Sequence, residues 1–562
     1  MKSLLKFLFS LVFIFFNSCF AQDFDLEWVV TQGGMYNDVV LENVVDGVGN
    51  SYALGYFRET MDFDPGEGEY NLSSNGYKDI FIQKLNPEGE LVWVKAIGGG
   101  EDDIGTHIII DAFDNIYITG EFNDKVDFDP GEGIANLYSY DDSDVFILKL
   151  DKNGNFIWAK SNKGKRQNSA FSIVSDSYGN VYTVGSFRGK VDFDPGMEKF
   201  YLESPSNQVF IQKLSPEGEF VWVKSFEGGW SNSGKSIVID SEDNLFVCGE
   251  YEYTTNFGLG GDKIEITSNG RDIFLLRMNM EGDLIWVKSF GGEDYDFSQD
   301  LSLDSDGNVY LVGSFTSEIL LDPDQELISL NGTEWTNSVF MAKFNNNGDY
   351  IWGRHFEGLT RECNCSLVVD KMENIYLNGT FRDTVEFGTD ESVINLISNG
   401  GFDVFLQKLD KSGHFIWAKS FGGEYSDFNS SITFDVFDNL YLTGGFSDTV
   451  HLSPNETTLA SVTNGYVDCY IQKLNSNYDP NQKDLLNEVI IFPNPTADWV
   501  NIYLDDLPNV TLNLYNVHGQ LIYNKDNINQ SIYSFDLNMS SGVYFIELST
   551  QKETRRYKLI TK

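Results

Sequence analysis

The side chains best placed to do chemistry in this sequence lie in short loop motifs that recur. Asp62-Phe-Asp64-Pro-Gly, Asp127-Phe-Asp129-Pro-Gly and Asp192-Phe-Asp194-Pro-Gly each set two carboxylates in a Pro-Gly turn, beside exposed carbonyl oxygens. Hard oxygen donors in that arrangement suit Ca²⁺. The competing account has each Asp capping its own turn by accepting nearby backbone N–H groups, while the Phe packs inward. Other copies lose the pattern, as in Glu386-Phe-Gly-Thr and His451-Leu-Ser-Pro, which a structural metal site would not tolerate freely. Calcium is thus the metal these loops could hold, and no motif requires a cofactor.

A second set is aromatic and cationic. Arg166 belongs to a basic island, Asn162-Lys-Gly-Lys-Arg-Gln167, and Trp230, Tyr295, Arg361 and Tyr425 mark comparable stretches further on. Such residues recognise carbohydrate or protein by stacking and planar hydrogen bonds, although solvated loop chemistry would look the same. Histidines at 107, 355, 414, 451 and 518 fall in unrelated frames, so neither a Ser-His-Asp set nor a metal-ligand set is visible. No catalytic residue is expected. Cys363-Asn-Cys365 could close a local disulfide or hold a metal, whereas Cys248 and Cys469 fall within strands and read as buried thiols.

Charge narrows the partners. Asp and Glu number 85 against 39 Lys and Arg, a net charge of −46, and phosphate recognition needs the opposite sign. Hydrophobic residues at 41% and aromatics at 15% allow a large core and exclude an acidic disordered tail.

The elements that must position these loops repeat. Trp recurs at 28, 93, 158, 222, 286, 352 and 417, with spacings of 65, 65, 64, 64, 66 and 65. The text around it returns as well: Asp79-Ile-Phe-Ile-Gln-Lys-Leu-Asn-Pro-Glu-Gly-Glu-Leu-Val-Trp93 is followed by Asp144-Val-Phe-Ile-Leu-Lys-Leu-Asp-Lys-Asn-Gly-Asn-Phe-Ile-Trp158. A second theme lies between, as in Asp304-Ser-Asp-Gly-Asn-Val-Tyr-Leu-Val-Gly-Ser-Phe315. β-Branched and aromatic runs between Gly, Asn, Asp and Pro turns give four short strands per copy. No 3.6-residue apolar period is sustained, so helix content should be low. The pattern predicts an all-β chain, a seven-bladed β-propeller over residues 22–475. The first copy lacks the strand before Trp28, and the last lacks a Trp strand after Leu474, so the N-terminal strand should complete the last blade and close the ring. The repeats resemble the SBBP-type β-propeller repeats of secreted bacterial proteins, a resemblance that implies the fold and no catalytic residues.

Tight Asp-Gly-Asn and Pro-Glu-Gly turns should share one face of such a ring, while long connections and blade crossings share the other. Variation collects on the second face, where binding is expected. The seven Trp read as packing between blades.

Both ends of the chain carry addresses. Lys2 and Lys6, the apolar run Phe7 to Phe16 and the small residues near Ala21 predict a signal peptide over 1–21, with lipidation at Cys19 as the rival account. No later segment approaches the ~20 apolar residues of a membrane span. A polar linker is expected at 476–486, and Val500-Asn-Ile-Tyr-Leu504 and Thr511-Leu-Asn-Leu-Tyr-Asn-Val517 alternate as in a small β-sandwich over 487–562. Phe492-Pro493-Asn494-Pro495, Leu514-Tyr-Asn-Val-His-Gly519, Ser541-Gly542-Val-Tyr544-Phe and Tyr557-Lys-Leu-Ile560 resemble the type A C-terminal sorting domain of the type IX secretion system. That resemblance implies passage across a Gram-negative outer membrane, with the type IX machinery as partner, followed by release or attachment at the cell surface. Asp-Thr-Val at 383–385 and 448–450 resembles an O-glycosylation signal of bacteria with that system. The expectation is a monomeric, non-enzymatic binding or adhesion module for a glycan or protein. The alternatives are a polysaccharide-acting enzyme and a surface-coat component.

Overall fold

Short apolar runs between turn residues form strands, and no helix occurs among the described residues. The computed structural model describes residues 24–66, 68–140, 142–259, 261–321, 329–331, 337–356, 358–359, 364–389, 392–452, 460–463, 466–476, 490–492, 499–504, 509–516, 521–529, 532–536, 542–549 and 554–561. The signal segment 1–21, Arg361, Cys363, residues 477–486 of the linker, Pro493, Asn494, Pro495 and Gly519 lie outside them.

The first sheet is an antiparallel meander of Val39–Val45, Ser51–Phe57, Asp79–Leu85 and Leu91–Ile97. Its two middle strands are almost wholly buried, whereas Leu91–Ile97 is half-buried. Middle strands covered on both faces lose the apolar-polar alternation, which is why they read as continuous apolar runs. The four-strand order recurs in sheets whose innermost strands are Ile104–Ile110, Ser169–Ser175, Ser233–Ile239, Phe297–Leu303, Ser366–Val369 and Phe428–Phe434. Each innermost strand packs against that of the next sheet, and Val39–Val45 packs against both Ile104–Ile110 and Phe428–Phe434. The sheet begun by Phe428–Phe434 continues through Leu440–Phe446 and Asp468–Ser476, and takes its fourth strand from Phe24–Gln32. Trp28 faces Lys473 there as Trp93 faces Lys84 in the first sheet.

The Trp residues tie neighbouring sheets. The indole N–H of Trp28 donates to Pro87 O (2.9 Å), Trp158 to Pro216 O (3.0 Å) and Trp286 to Asn346 O (3.1 Å), each acceptor lying in a tight turn of the next sheet. The turn glycine lies on the indole: Gly89 has φ +84°, and a Cβ there would meet Trp28 at 2.9 Å. Positive φ and close approach together explain why this turn keeps Gly while its other residues vary.

A small two-stranded arm, Thr60–Asp62 with Asn71–Ser73, fills the connection between the second and third strands of the first sheet. The strand Asp468–Ser476 includes Ser476, the first residue expected in the linker. Asn475 and Ser476 still pair with Asp25 and Phe24, since Phe24 is buried against Tyr376 and Trp417 and holds its partner strand in place. Cys248 and Cys469 are free and buried, and Cys365 is disulfide-bonded.

The tail forms two sheets. One holds Ile490–Phe492, Trp499–Tyr503 and Ile532–Asp536; the other holds Leu521–Ile528, Val510–Asn516, Gly542–Ser549 and Thr554–Thr561. Val500, Ile502, Leu512, Leu514, Ile546 and Leu559 are buried in one core between them. Tyr544 is buried in that core, and Gly542 opens its strand opposite Thr561.

Candidate ligand-binding face and buried polar set

The crossings between sheets are pinned by one repeated backbone bond. The N–H groups of Asp38, Asp103, Asn168, Asn232, Asp296 and Asp427 donate to the carbonyls of Val467, Lys78, Ser143, Asn207, Arg271 and Phe402, which hold equivalent places in the preceding sheet, one residue before Asp468, Asp79, Asp144, Gln208, Asp272 and Asp403. Arg166, Trp230 and Tyr425 precede a pinned residue by two positions, and Tyr295 by one, so the scaffold carries them in near-equivalent places on one face. Trp230 is 68% exposed, Tyr295 58% and Tyr425 54%, and Arg166 is also exposed. They share a face rather than a single pocket. The Arg271 guanidinium lies 5.7 Å from the Tyr295 ring and is itself ion-paired to Glu252 at 2.5 Å.

The Asp-Phe-Asp-Pro-Gly loops bind their own backbone. Asp62 Oδ1 accepts Asp64 N (3.1 Å) and Tyr70 N (2.8 Å), and Asp64 Oδ1 accepts Gly66 N (2.8 Å). Asp127 with Asp129, and Asp192 with Asp194, repeat the pattern, while Phe63, Phe128 and Phe193 are buried. In the sheet begun by Ser233–Ile239, Asn256 takes the first Asp's place and accepts Gly258 N and Ile264 N through its amide oxygen. A neutral amide performing the same task marks a turn cap. No group of three or more His, Cys, Asp or Glu side chains that could hold a metal ion occurs among the described residues.

Beneath the crossings lie paired carboxyl groups. Asp103 sits against Asp79, Asp296 against Asp272, Asp427 against Asp403, and Asp38 against Asp468. Burial, opposed by backbone N–H bonds and reinforced by the neighbouring carboxylate, pushes Asp38 up to about 6, Asp103 and Asp427 to about 7 and Asp296 to about 8. The Oδ1 atoms of Asp79, Asp272, Asp296 and Asp403 are buried without a hydrogen-bond partner. Gly98 leaves room for the pair, because a Cβ there would collide with the Asp79 carboxyl. Two crossings use amides instead: Asn168 Nδ2 donates to Asp144 Oδ1 (3.2 Å), and Asn232 Nδ2 donates to Gln208 Oε1 (2.9 Å).

Sequence reasoning missed a set on the innermost strands. Glu42, His107, Ser172, Ser236, Asp300, Ser366 and Ser431 follow the Trp spacing residue for residue, and each described pairing shows them just past the bulge or at the strand's start. Aligning the copies on Trp and reading that column would have revealed them. Asp300 accepts Ser236 Oγ (3.3 Å), Ser366 Oγ (3.0 Å), Leu367 N (3.1 Å) and Leu301 N (2.8 Å), joining three sheets. Glu42 accepts the Ser431 hydroxyl, and burial, with Asp300 adding to it, pushes Glu42 up to about 7. Burial lowers His107 to about 4, and its Nδ1 has no partner.

Residues 490–562 match the family model of the secretion system C-terminal sorting domain. This tail implies export through the type IX secretion system to the cell surface or extracellular space. An uncharacterized WD repeat-containing protein of Acanthamoeba polyphaga mimivirus is 23% identical over 457 residues, covering 68% of this chain. The match covers only 33% of that relative's length. Among solved structures, virginiamycin B lyase from Staphylococcus aureus is similar over 79% of this chain and 99% of its own, at 9% identity and a TM-score of 0.32. A gluconolactonase from Xanthomonas campestris is similar over 65% of this chain and 91% of its own, at 11% identity and a TM-score of 0.25. The chain is all-β with a propeller-like repeat structure, and no described helix is long and apolar enough to cross a membrane.

Proposed function

We propose that the chain is a seven-bladed β-propeller of the SBBP repeat type, closed by its N-terminal strand. It acts outside the cell as a non-enzymatic module that binds a glycan or protein through its crossing-loop face. The cyclic packing of innermost strands and the pairing of Phe24–Gln32 with Asp468–Ser476 support the ring. The observation that carries the binding role is the exposed set Trp230, Tyr295 and Tyr425, held on crossings that a repeated backbone bond makes rigid. Exposed aromatics on a rigid base bind without a large ordering cost. The non-enzymatic reading rests on Asp300, whose oxygens are committed to four internal donors. The test is an array of glycans and matrix proteins probed with the mature chain. A reproducible hit that Trp230→Ala/Tyr295→Ala/Tyr425→Ala abolishes supports the role, and a hit that survives the triple change refutes this location.

One observation favours a second reading. Glu42, buried against Ser431 and pushed up to about 7, has the ionisation expected of a general acid, and His107, at the equivalent position of the next sheet, has an unpartnered nitrogen. Release of reducing ends from polysaccharides by the wild-type chain, lost in Glu42→Gln, would establish an enzyme. Its absence across a broad substrate panel would leave the binding role.

A further inference from the structure

We infer that the cleft between the first two sheets is a subsite for acidic oligosaccharides, with a sugar carboxylate held by Arg58 and Lys78. This rests on the glycan reading of the same face and sharpens it. The cleft measures about 720 Å³ and is lined by Arg58, Tyr77, Lys78, Asp102, Asn123 and Ser139, with Glu101 and Asp124 at the same wall as Asp102.

Three observations point to that ligand. First, Arg58 and Lys78 have no carboxylate partner among the described ion pairs, in a chain whose net charge is −46. They are held by rings instead: the Arg58 guanidinium lies 4.4 Å from the Tyr36 centroid and 5.3 Å from that of Tyr77, and Lys78 Nζ lies 4.4 Å from that of Tyr56. Their backbones are fixed too, since Arg58 N donates to Asp38 and Lys78 O accepts Asp103 N. Two cations held by rings and engaged in no described ion pair keep their N–H groups free for a sugar carboxylate. Second, the other wall presents the carboxylates of Glu101, Asp102 and Asp124, which accept hydrogen bonds and so favour a ligand rich in hydroxyl donors. Third, no aliphatic side chain lines the cleft, and Tyr77, 54% exposed, is its one flat apolar surface. A peptide would find no seat for an apolar side chain, whereas a sugar ring can stack on Tyr77 while its hydroxyls meet the acidic wall. The combination occurs once: Arg58 and Lys78 correspond by repeat spacing to Asn123 and Ser143 in the next sheet.

The test is calorimetric titration of the mature chain with oligogalacturonate, oligoalginate and chondroitin-derived tetrasaccharides, with maltotetraose and cellotetraose as neutral controls and tetraglutamate as a peptide control. At least one acidic sugar should bind, at least tenfold more tightly than the neutral ones, and weaken on raising salt from 50 to 500 mM. Arg58→Ala/Lys78→Ala should weaken it at least tenfold with an unchanged melting temperature, and Arg58→Lys should recover part of the loss. Silence from every acidic sugar, equal binding of neutral ones, equal binding of tetraglutamate or indifference to the double change would each overturn the proposal. Neutral sugars binding in a manner lost on the Trp230/Tyr295/Tyr425 change would overturn this subsite alone and leave the wider glycan reading standing.

Discussion

At the tight-turn end of the sheet begun by Phe297–Leu303, Asp304 accepts Asp306 N, Asn308 N, Asn308 Nδ2, Tyr310 Oη and Lys343 Nζ, the last at 2.9 Å. Burial alone would raise its pKa, but the bonds from Asn308 and Lys343 bring it below the ordinary value. At the crossing-loop end of that sheet, Asp296 is more deeply buried and is paired with no cation among the described residues; burial pushes it up to about 8, and Asp272 and Asp294 add to the rise. One residue type thus plays opposite electrostatic parts at the two ends of one sheet. The turn-end bonds recur: Asp46, Asp176 and Asp435 repeat those to a downstream Asn and Tyr, although deeper burial still raises Asp435. Where Phe246 replaces the Tyr, Arg277 replaces the Lys, bonds Asp240 at 3.0 Å and lies 5.2 Å from the Phe246 ring. The network changes as a unit, which marks it as scaffold. The crossing end is left electrostatically incomplete beneath the variable face.

The largest expected effect breaks the turn end. Lys343→Ala leaves Asp304 as a buried carboxylate without its cation, and breaking such a pair costs about 3–5 kcal/mol. Urea unfolding should show that loss, and Asp304→Asn/Lys343→Met, which removes both charges, should recover much of it. A loss under 1 kcal/mol in Lys343→Ala would mean the turn end is no more committed than the crossing end.

The opposite sign is expected at the crossing end. Asn168 and Asn232 already donate where the paired acids have an unpartnered oxygen, so an amide is the natural isostere of the protonated acid. Asp296→Asn should therefore stabilise the chain at pH 8 by about 1–3 kcal/mol, the scale of relieving one unsatisfied buried polar atom. A destabilising result would show that the pair is needed ionised.

The pH dependence follows with a defined sign. Below about pH 4 these acids are protonated in both folded and unfolded chains. As pH rises, the unfolded chain ionises first, while Asp38, Asp103, Asp296 and Asp427 stay protonated until about 6, 7, 8 and 7. The folded state then binds more protons, so its stability falls from about pH 4 to 8 and levels off above. Melting temperatures across that range should decline, with a shallower slope in Asp103→Asn/Asp296→Asn/Asp427→Asn. A part of the slope should survive, since Asp144 is pushed up to about 7 by burial even beside Asn168. An unchanged slope in the triple variant would remove the crossing acids as its source.

How much of this was legible depended on whether the signal was local. Trp spacing and turn residues predicted four strands per copy, because hairpin chemistry is written within a few residues; the strand around Trp28 was expected beside the last repeat, and it pairs there, with a register only the structure supplies. Trp230, Tyr295 and Tyr425 were legible as exposed because each lies in a variable stretch. The Asp-Phe-Asp-Pro-Gly loops could be read as metal ligands or as caps, and the direction of the N–H groups around Asp62, which shows the capping, is not written in the residue types. Glu42 and the pair Asp79–Asp103 were hidden because they depend on neighbouring copies meeting in space, about which a single copy says nothing.

The smallest effect tests whether the ties between sheets belong with the turn end. Trp286→Phe keeps an aromatic ring against Phe246, now 6.0 Å away, but removes the bond to Asn346 O. That carbonyl also receives Arg277 Nη1 at 3.3 Å, so it stays partnered, and the loss should be about 1 kcal/mol rather than that of an orphaned group. Trp93 is a control within the molecule. Its indole nitrogen is buried without a partner, so Trp93→Phe removes no bond and relieves an unsatisfied donor. Unfolding measurements should therefore rank Trp286→Phe as destabilising and Trp93→Phe as near neutral. Equal losses would assign the Trp contribution to ring packing alone and detach it from the hydrogen-bonded turn network.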